Sequence, residues 1–144
     1  MKWLRKTLLV ALMCLTAGCY ASTKENDCRA YVAYREASGG SVETIRAVLD
    51  VVENRMKLYN KTFCQVVKQE GQFPYVKYGI RKVNDTKFLH KYRKAVIMKP
   101  ILTSSYIFFN TKKHKWGKDC RKIEKMYYCK WLNKERINES SSQF

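Results

Sequence analysis

Residues 41–59 of the chain read SVETIRAVLDVVENRMKLY and contain its strongest helix signal. Ser41 is a good N-cap, because its hydroxyl can accept a hydrogen bond from a free backbone N–H of the first turn. The apolar residues recur at helical spacing and predict one buried face; they are Ile45, Val48, Leu49, Val52 and Met56. On the other side, i,i+4 spacing pairs Arg46 with Asp50 and Glu53 with Lys57, which predicts ion pairs on the helix surface. This stretch therefore predicts a core helix.

A shorter helix precedes the core helix, and we expect Asp27 to be its N-cap. Small or aromatic residues then fall at i, i+3, i+4 and i+7 and form one stripe that another element could approach closely; they are Ala30, Ala33, Tyr34 and Ala37. Residues 38–40, Ser-Gly-Gly, end the helix, since glycine readily adopts the left-handed conformation of a helix terminus. Glu36 then lies in the last turn, at the unfavourable end of the helix dipole for a negative charge. It has no obvious structural role there.

The chain after residue 59 predicts two further helices and a β region near the C-terminus. Thr62 caps a short third helix, and Asp85 opens a fourth that Pro100 closes. Residues 71–79, which contain glycine, proline and aromatic residues, are interpreted as irregular or β-like. Two C-terminal segments complete the pattern: 106–110, a strand or a helix end, and 123–132, a final strand.

The first 21 residues have the layout of a secretory signal peptide. A positive segment with three basic residues precedes an apolar run, and small residues follow it; the basic residues are Lys2, Arg5 and Lys6. We expect cleavage after Ala21, a folded domain at 22–138 and a flexible polar tail at 139–144. Cleavage before Cys19, as in a lipoprotein, and a retained membrane anchor are the alternatives. Either cleavage predicts an exported protein, periplasmic or extracellular, with no stable membrane span.

Four cysteines lie beyond the signal segment: Cys28, Cys64, Cys120 and Cys129. An even number in a short exported chain indicates two disulfides. Three pairings are open, although Cys120 and Cys129 are close enough to clip a hairpin, which would leave Cys28 with Cys64. A zinc site is the alternative, but no C-x-x-C pair occurs. We therefore expect neither a metal nor a cofactor.

The chain is strongly basic, with 29 lysines and arginines against 12 acidic residues and a formal net charge of +17. Such a charge favours an anionic partner: nucleic acid, an anionic membrane or the bacterial wall. Residues 111–136 are especially basic and contain four interleaved aromatics: Trp116, Tyr127, Tyr128 and Trp131. This segment is either a solvated hairpin or a contact to anionic wall polymers. Export disfavours nucleic acid, and the disulfides and the lack of a long basic amphipathic helix disfavour membrane disruption.

An ordered set of short motifs runs from residue 34 to residue 110. Its members are Tyr34-Arg35-Glu36-Ala37-Ser38-Gly39, Val51-Val52-Glu53-Asn54-Arg55, Thr62-Phe63-Cys64-Gln65-Val66-Val67 with Gln69, Gln72-Phe73, and Phe109-Asn110. In order and spacing this set resembles the cell wall hydrolases of the spore-cortex-lytic type, a family of bacteria and their phages. Where that family often has E-A-R-G-E, this chain has Ser38 in place of the arginine and Gly40 in place of the second glutamate.

The resemblance implies a small lysozyme-like fold, α+β but mainly α, with a short β region and a C-terminal hairpin. It implies peptidoglycan as the partner and cleavage of the β-1,4 bond between N-acetylmuramic acid and N-acetylglucosamine. Glu36 would be the general acid, which must be protonated to supply a proton to the leaving oxygen. Four further residues would line the groove: Gln72, Phe73, Phe109 and Asn110. Phe73 and Phe109 are equally good core residues.

The sequence leaves the nucleophile open. Glycosidases ordinarily use two carboxylates, and none besides Glu36 falls on a family motif; Glu43, Glu70 and Asp85 are candidates by position only. One acid suffices when the sugar's own 6-hydroxyl attacks, so lytic transglycosylation is favoured over hydrolysis. The alternative function is a non-catalytic, cationic wall-binding protein of the same fold. In either case we expect a monomer.

Overall fold

The computed structural model describes residues 23–112 and 117–131, which form a mainly helical α+β structure. Its helices are α1 (23–37), α2 (Val42–Tyr59), α3 (Phe63–Val67), a 3-10 helix, η1 (Pro74–Tyr78), and α4 (Thr86–Ile97). The strands are β1 (Tyr106–Asn110), β2 (Gly117–Ile123) and β3 (Met126–Trp131). Thus the predicted fold class is confirmed. The proposed signal segment and the tail lie outside the described residues.

Helix α2 begins and ends where the sequence predicts. Ser41 is its N-cap and accepts a hydrogen bond from the Thr44 N–H, and Asn60 closes it in the left-handed conformation. The expectation of a solvated second side is wrong, because residues 44–52 are all buried. Helices α3 and α4 and strand β1 all pack against α2. The helix is therefore the centre of the core.

Buried charges on α2 hold the chain that follows α4. Arg46 and Asp50, 4% and 1% exposed, form an ion pair at 2.7 Å. The Asp50 carboxylate also accepts hydrogen bonds from the backbone N–H groups of Ile101 and Leu102, at 2.8 and 3.0 Å. Buried backbone N–H groups need acceptors, and the Asp50 carboxylate is the acceptor for both of these.

Glu53 does not form the predicted pair with Lys57. Its carboxylate instead binds Arg46 and, at 2.6 Å, Arg29 of α1. Arginine guanidinium groups offer several donors to one carboxylate, so Glu53 pairs with one arginine of α1 and one of α2 itself and not with Lys57.

Helix α1 is already formed at residue 23, so Asp27 lies inside the helix and is not its N-cap. The first turn of α1, before Asp27, is held against α3. The Cys28–Cys64 disulfide joins the two helices, and Glu25 accepts a hydrogen bond from the Cys64 N–H at 3.2 Å. Within the predicted stripe Ala33 and Ala37 are buried, whereas Ala30 and Tyr34 are partly exposed.

Helices α3 and α4 begin where the sequence predicts, but residues 71–79 contain a 3-10 helix that it does not predict. Thr62 and Gln65 form a capping box at the start of α3, and Asp85 caps α4 through the Phe88 N–H. The β-like interpretation of residues 71–79 is wrong, because Pro74 starts the single 3-10 turn of η1. Proline fixes a helix-compatible φ and needs no N–H partner at a first helical position.

The sheet is antiparallel in the order β1-β3-β2. Residues 106–110 are a strand, and the final strand starts at Met126 rather than Ile123, because Glu124 and Lys125 form the turn of the predicted C-terminal hairpin. The second disulfide joins Cys120 and Cys129 across this hairpin, so both predicted disulfides are confirmed. Within the two described ranges, no helix has the length and apolarity needed to cross a membrane.

Candidate active site

Glu36 is held at the end of α1 by a tyrosine from η1. The Tyr75 hydroxyl donates a hydrogen bond of 2.6 Å to Glu36 Oε1. Burial and this bond raise the pKa of Tyr75 well above its usual range, so the phenol stays protonated and remains a donor. The Tyr75 ring is itself fixed, with the Arg35 guanidinium 4.6 Å from its centre and the Tyr31 ring edge-on at 5.9 Å.

A recess of about 290 Å³, the first recess, opens beside Glu36. Its lining contains every predicted site residue, together with three that were not predicted: Glu36, Gln72, Phe73, Phe109 and Asn110, with Arg55, Thr111 and Met126. These residues come from α1, α2, β1 and the residue after it, β3, and the loop after α3. The fold thus brings together five residues that the sequence separates by up to 74 positions.

Arg55 fixes the polar wall of the first recess. Its guanidinium donates to Gln72 Oε1 at 2.6 Å and to the Ile107 carbonyl at 2.5 Å. Burial lowers the pKa of Arg55 to about 10, which still leaves it charged at neutral pH. Because the Gln72 oxygen is occupied, its NH₂ group is the part available to a ligand. The sequence had placed Arg55 in a motif without assigning it to the site.

The two phenylalanines of the first recess contribute to both core and site. Phe73 is 5% exposed, and Phe109 is partly buried with its ring 6.3 Å from that of Phe73. Phe109 also lies 6.0 Å from the buried Tyr128 ring. Their rings therefore join the recess to the core.

A second recess, of about 550 Å³, opens on another side of Glu36. It is lined by the end of α1, the start of α2 and the hairpin turn: Glu36, Ala37, Ser38, Gly39, Gly40, Thr44, Glu124, Lys125 and Met126. Both recesses share Glu36 and Met126, so these two residues lie where the recesses meet. We call the two recesses together the cleft.

None of the carboxylates named as candidates by position lines the cleft. Glu43 is exposed in the first turn of α2, Glu70 is exposed in the turn after α3, and Asp85 caps α4. The carboxylate that joins Glu36 in the second recess is that of Glu124. No motif marks it, because its position in the cleft depends on how the hairpin packs against α2.

Glu124 is anchored to the first turn of α2. Its Oε2 accepts hydrogen bonds from the Thr44 hydroxyl at 2.6 Å and from the Ser41 N–H at 3.2 Å. Both bonds hold the pKa of Glu124 below its usual range, and the bond from Thr44 has the larger effect. Gly40 leaves the space for this approach, since a Cβ there would come within 3.0 Å of Thr44 and 3.1 Å of Glu124 Oε2.

Helix α4 and the hairpin carry many exposed basic side chains. Helix α4 exposes Lys87, His90, Arg93 and Lys94, while Lys91 of the same helix donates to the Gly40 carbonyl at 2.8 Å. The hairpin exposes Lys118, Arg121, Lys122 and Lys125. Lys113, Lys115 and Trp116 of the predicted basic segment lie outside the described residues, and so does the Trp131 side chain.

Comparison with known proteins gives one match. The sequence model of the Cell Wall Hydrolase family matches residues 39–129, whereas no curated protein and no solved structure matches. The matched range includes Arg55, Gln72, Phe109 and Glu124 and begins three residues after Glu36. Because it covers well over half of the chain, the protein belongs to the Cell Wall Hydrolase family, and membership implies that peptidoglycan is its substrate.

Proposed function

We propose that this protein cleaves the β-1,4 bond between N-acetylmuramic acid and N-acetylglucosamine in peptidoglycan, with Glu36 as the general acid. The observation that carries the proposal is the position of Glu36 where the two recesses meet. A glycan strand occupying both recesses would pass this carboxylate, with one sugar on each side of the bond to be broken.

The hydrogen bond from Tyr75 supports this role. A general acid must lie within hydrogen-bond reach of the leaving oxygen when the bond breaks. Tyr75 holds Oε1 of Glu36, which leaves Oε2 to carry the proton to the substrate. Fixing the carboxylate before the substrate binds lowers the entropic cost of reaching this geometry.

The other residues of the first recess fit a sugar with an N-acetyl group. The amides of Gln72 and Asn110 can hydrogen-bond an acetamido group, and Arg55 orients the first of them. The exposed parts of Phe73 and Phe109 can contact the apolar face of a sugar ring. A site that combines apolar walls with a few fixed polar groups is typical for a small ligand.

Two nucleophiles are compatible with Glu36 as the acid. The 6-hydroxyl of the muramic residue gives a 1,6-anhydro end, which is lytic transglycosylation and needs no second carboxylate. Water gives a reducing end and ordinarily needs one. The choice therefore depends on whether a second carboxylate acts in the cleft.

Glu36→Gln tests the proposal in an assay of soluble fragments released from purified walls. Glutamine keeps the size and hydrogen bonding of the side chain but supplies no proton, so release should fall by about 10²–10⁴-fold. Glu43→Gln, an exposed change on α2 outside the cleft, is the matched control and should act like wild type. Undiminished release by a folded Glu36→Gln protein would remove Glu36 from the mechanism. Wild-type binding without any cleavage would favour the wall-binding alternative.

A further inference from the structure

The turn of the C-terminal hairpin brings a second carboxylate into the cleft. Glu124 lines the second recess together with Glu36, although the two residues belong to opposite ends of the described chain. Glu124 adopts a left-handed backbone conformation, with φ at 49°. This conformation is uncommon for a residue other than glycine. Here it occurs in the hairpin turn, from which the Glu124 side chain reaches back to the start of α2.

One oxygen of Glu124 is anchored and the other is available. The two hydrogen bonds, from Ser41 and Thr44, both go to Oε2. Glu124 is exposed, so Oε1 can bind water or a sugar hydroxyl. The side chain thus combines a fixed position with a free acceptor.

The groups around Glu124 favour its ionised form. Lys91 of α4 acts on it as a nearby positive charge, and Lys125 lines the same recess. Ser41 and Thr44 of α2 donate to it, while Glu36 of α1 is the other carboxyl group of that recess. A carboxylate that stays ionised beside one that must be protonated is the division of roles that glycosidases use.

We propose that Glu124 is the second catalytic carboxylate and accepts a proton from the attacking water, so that the glycan is hydrolysed. This inference rests on the proposed role of Glu36. The Glu36 carboxylic acid gives its proton to the glycosidic oxygen, and the bond from that oxygen to C1 of the muramic sugar breaks. The water oxygen bonds to C1, and its proton passes to Glu124. One water is consumed, and exchange with solvent restores both carboxyl groups.

Glu124→Gln separates this role from a structural one. Glutamine keeps an oxygen that accepts from Ser41 and Thr44, so the hairpin should stay in place, but it is too weak a base to take the proton. In ¹⁸O-labelled water, wild type should release reducing ends that each carry one ¹⁸O, detected by mass spectrometry. Glu124→Gln should lower the rate of their formation by about 10²–10⁴-fold.

Thr44→Val gives a second readout, the pH dependence of activity. The Thr44 hydroxyl is the main cause of the lowered pKa of Glu124, so its removal should raise that pKa. The base is then protonated at higher pH, and the acidic limb of the kcat/KM profile should move to higher pH. An unmoved limb in a folded, active Thr44→Val protein would overturn the proposal.

The products distinguish failure of this inference from failure of the proposed function. Wild-type products that all carry 1,6-anhydro ends would overturn the role of Glu124 and leave Glu36 as the acid. Undiminished reducing ends from Glu124→Gln would also overturn it. Full activity in Glu36→Gln would instead overturn the proposed function itself.

Discussion

Among single residues, Tyr75 has the most direct influence on Glu36. Its hydroxyl contacts the carboxylate at 2.6 Å, and its ring is held by Arg35 and Tyr31. An intramolecular hydrogen bond contributes about 0.5–1.5 kcal/mol, enough to favour one orientation of a side chain. We therefore expect Tyr75 to position Glu36, with an effect that appears in the chemical step.

Tyr75→Phe should lower kcat by about tenfold and leave KM nearly unchanged, because a small misplacement of a catalytic group is costly while substrate contacts stay in place. Steady-state kinetics on solubilised glycan strands measure both constants. Tyr78→Phe, a change in the same 3-10 helix at a residue 72% exposed, is the matched control. Equal kinetics for the two variants would show that Tyr75 does not position Glu36.

The sequence identified some residues of the cleft and missed others for a physical reason. Glu36, Gln72 and Asn110 fall on motifs whose order can be recognised along the chain, and the fold brings them to one recess. Glu124 and Tyr75 act through contacts with residues distant in sequence, at Thr44 and Glu36. Such contacts depend on tertiary packing, which local patterns do not encode.

Among the elements, α2 organises the molecule. Its ends were predictable because caps are local chemistry, as Ser41 shows. The burial of α2 on several sides was not predictable from the sequence. Arg46 and Asp50 have the i,i+4 spacing of an ion pair, and this spacing is the same whether the pair lies on the surface or in the core. The buried pair fixes the chain at Ile101 and Leu102 that leads into β1, and β1 carries Phe109 and Asn110 to the cleft.

Asp50→Ala should lower the free energy of unfolding by about 3–5 kcal/mol, because it removes one of the two carboxylates that bind the buried Arg46 and leaves the backbone N–H groups of Ile101 and Leu102 without their acceptor. Urea denaturation measures the change. Lys57→Ala on the same helix is the control and should change stability by about 0.5 kcal/mol or less, since Lys57 is exposed and Glu53 pairs elsewhere. Similar losses in both variants would contradict the central role of Asp50.

At the scale of the whole molecule, charge and disulfides indicate where the protein acts. The family and the two disulfides indicate an exported protein. The formal charge of +17 suits a polyanionic surface such as a bacterial wall. Helix α4 contributes to this charge close to the cleft, as the contact between Lys91 and Gly40 shows.

Retention on isolated walls should weaken strongly as salt rises from about 0.15 M to 1 M, where the screening length falls from about 8 to 3 Å. Pelleting assays with Glu36→Gln measure retention without cleavage. Replacing Lys87, Arg93 and Lys94 together by glutamate should weaken retention at low salt and preserve the fold, since all three are exposed. Retention that is independent of salt would rule out an electrostatic contribution.

Intact mass of the exported protein tests the expected processing. Cleavage after Ala21 predicts a chain beginning at Ser22 with no alkylatable thiol, because the cysteines that remain are paired. An unprocessed N-terminus, a lipidated Cys19 or four alkylatable thiols would each contradict this prediction.

The most direct test of the central claim is mass spectrometry of purified peptidoglycan glycan strands after digestion by wild type and by Glu36→Gln. Wild type should produce fragments cut between N-acetylmuramic acid and N-acetylglucosamine, with the muramic residue at the new end. Glu36→Gln, folded and still bound to the strands, should lower their yield by at least about 100-fold. Cleavage at another bond, or equal yields from the two proteins, would contradict the assignment of Glu36 as the acid that breaks this bond.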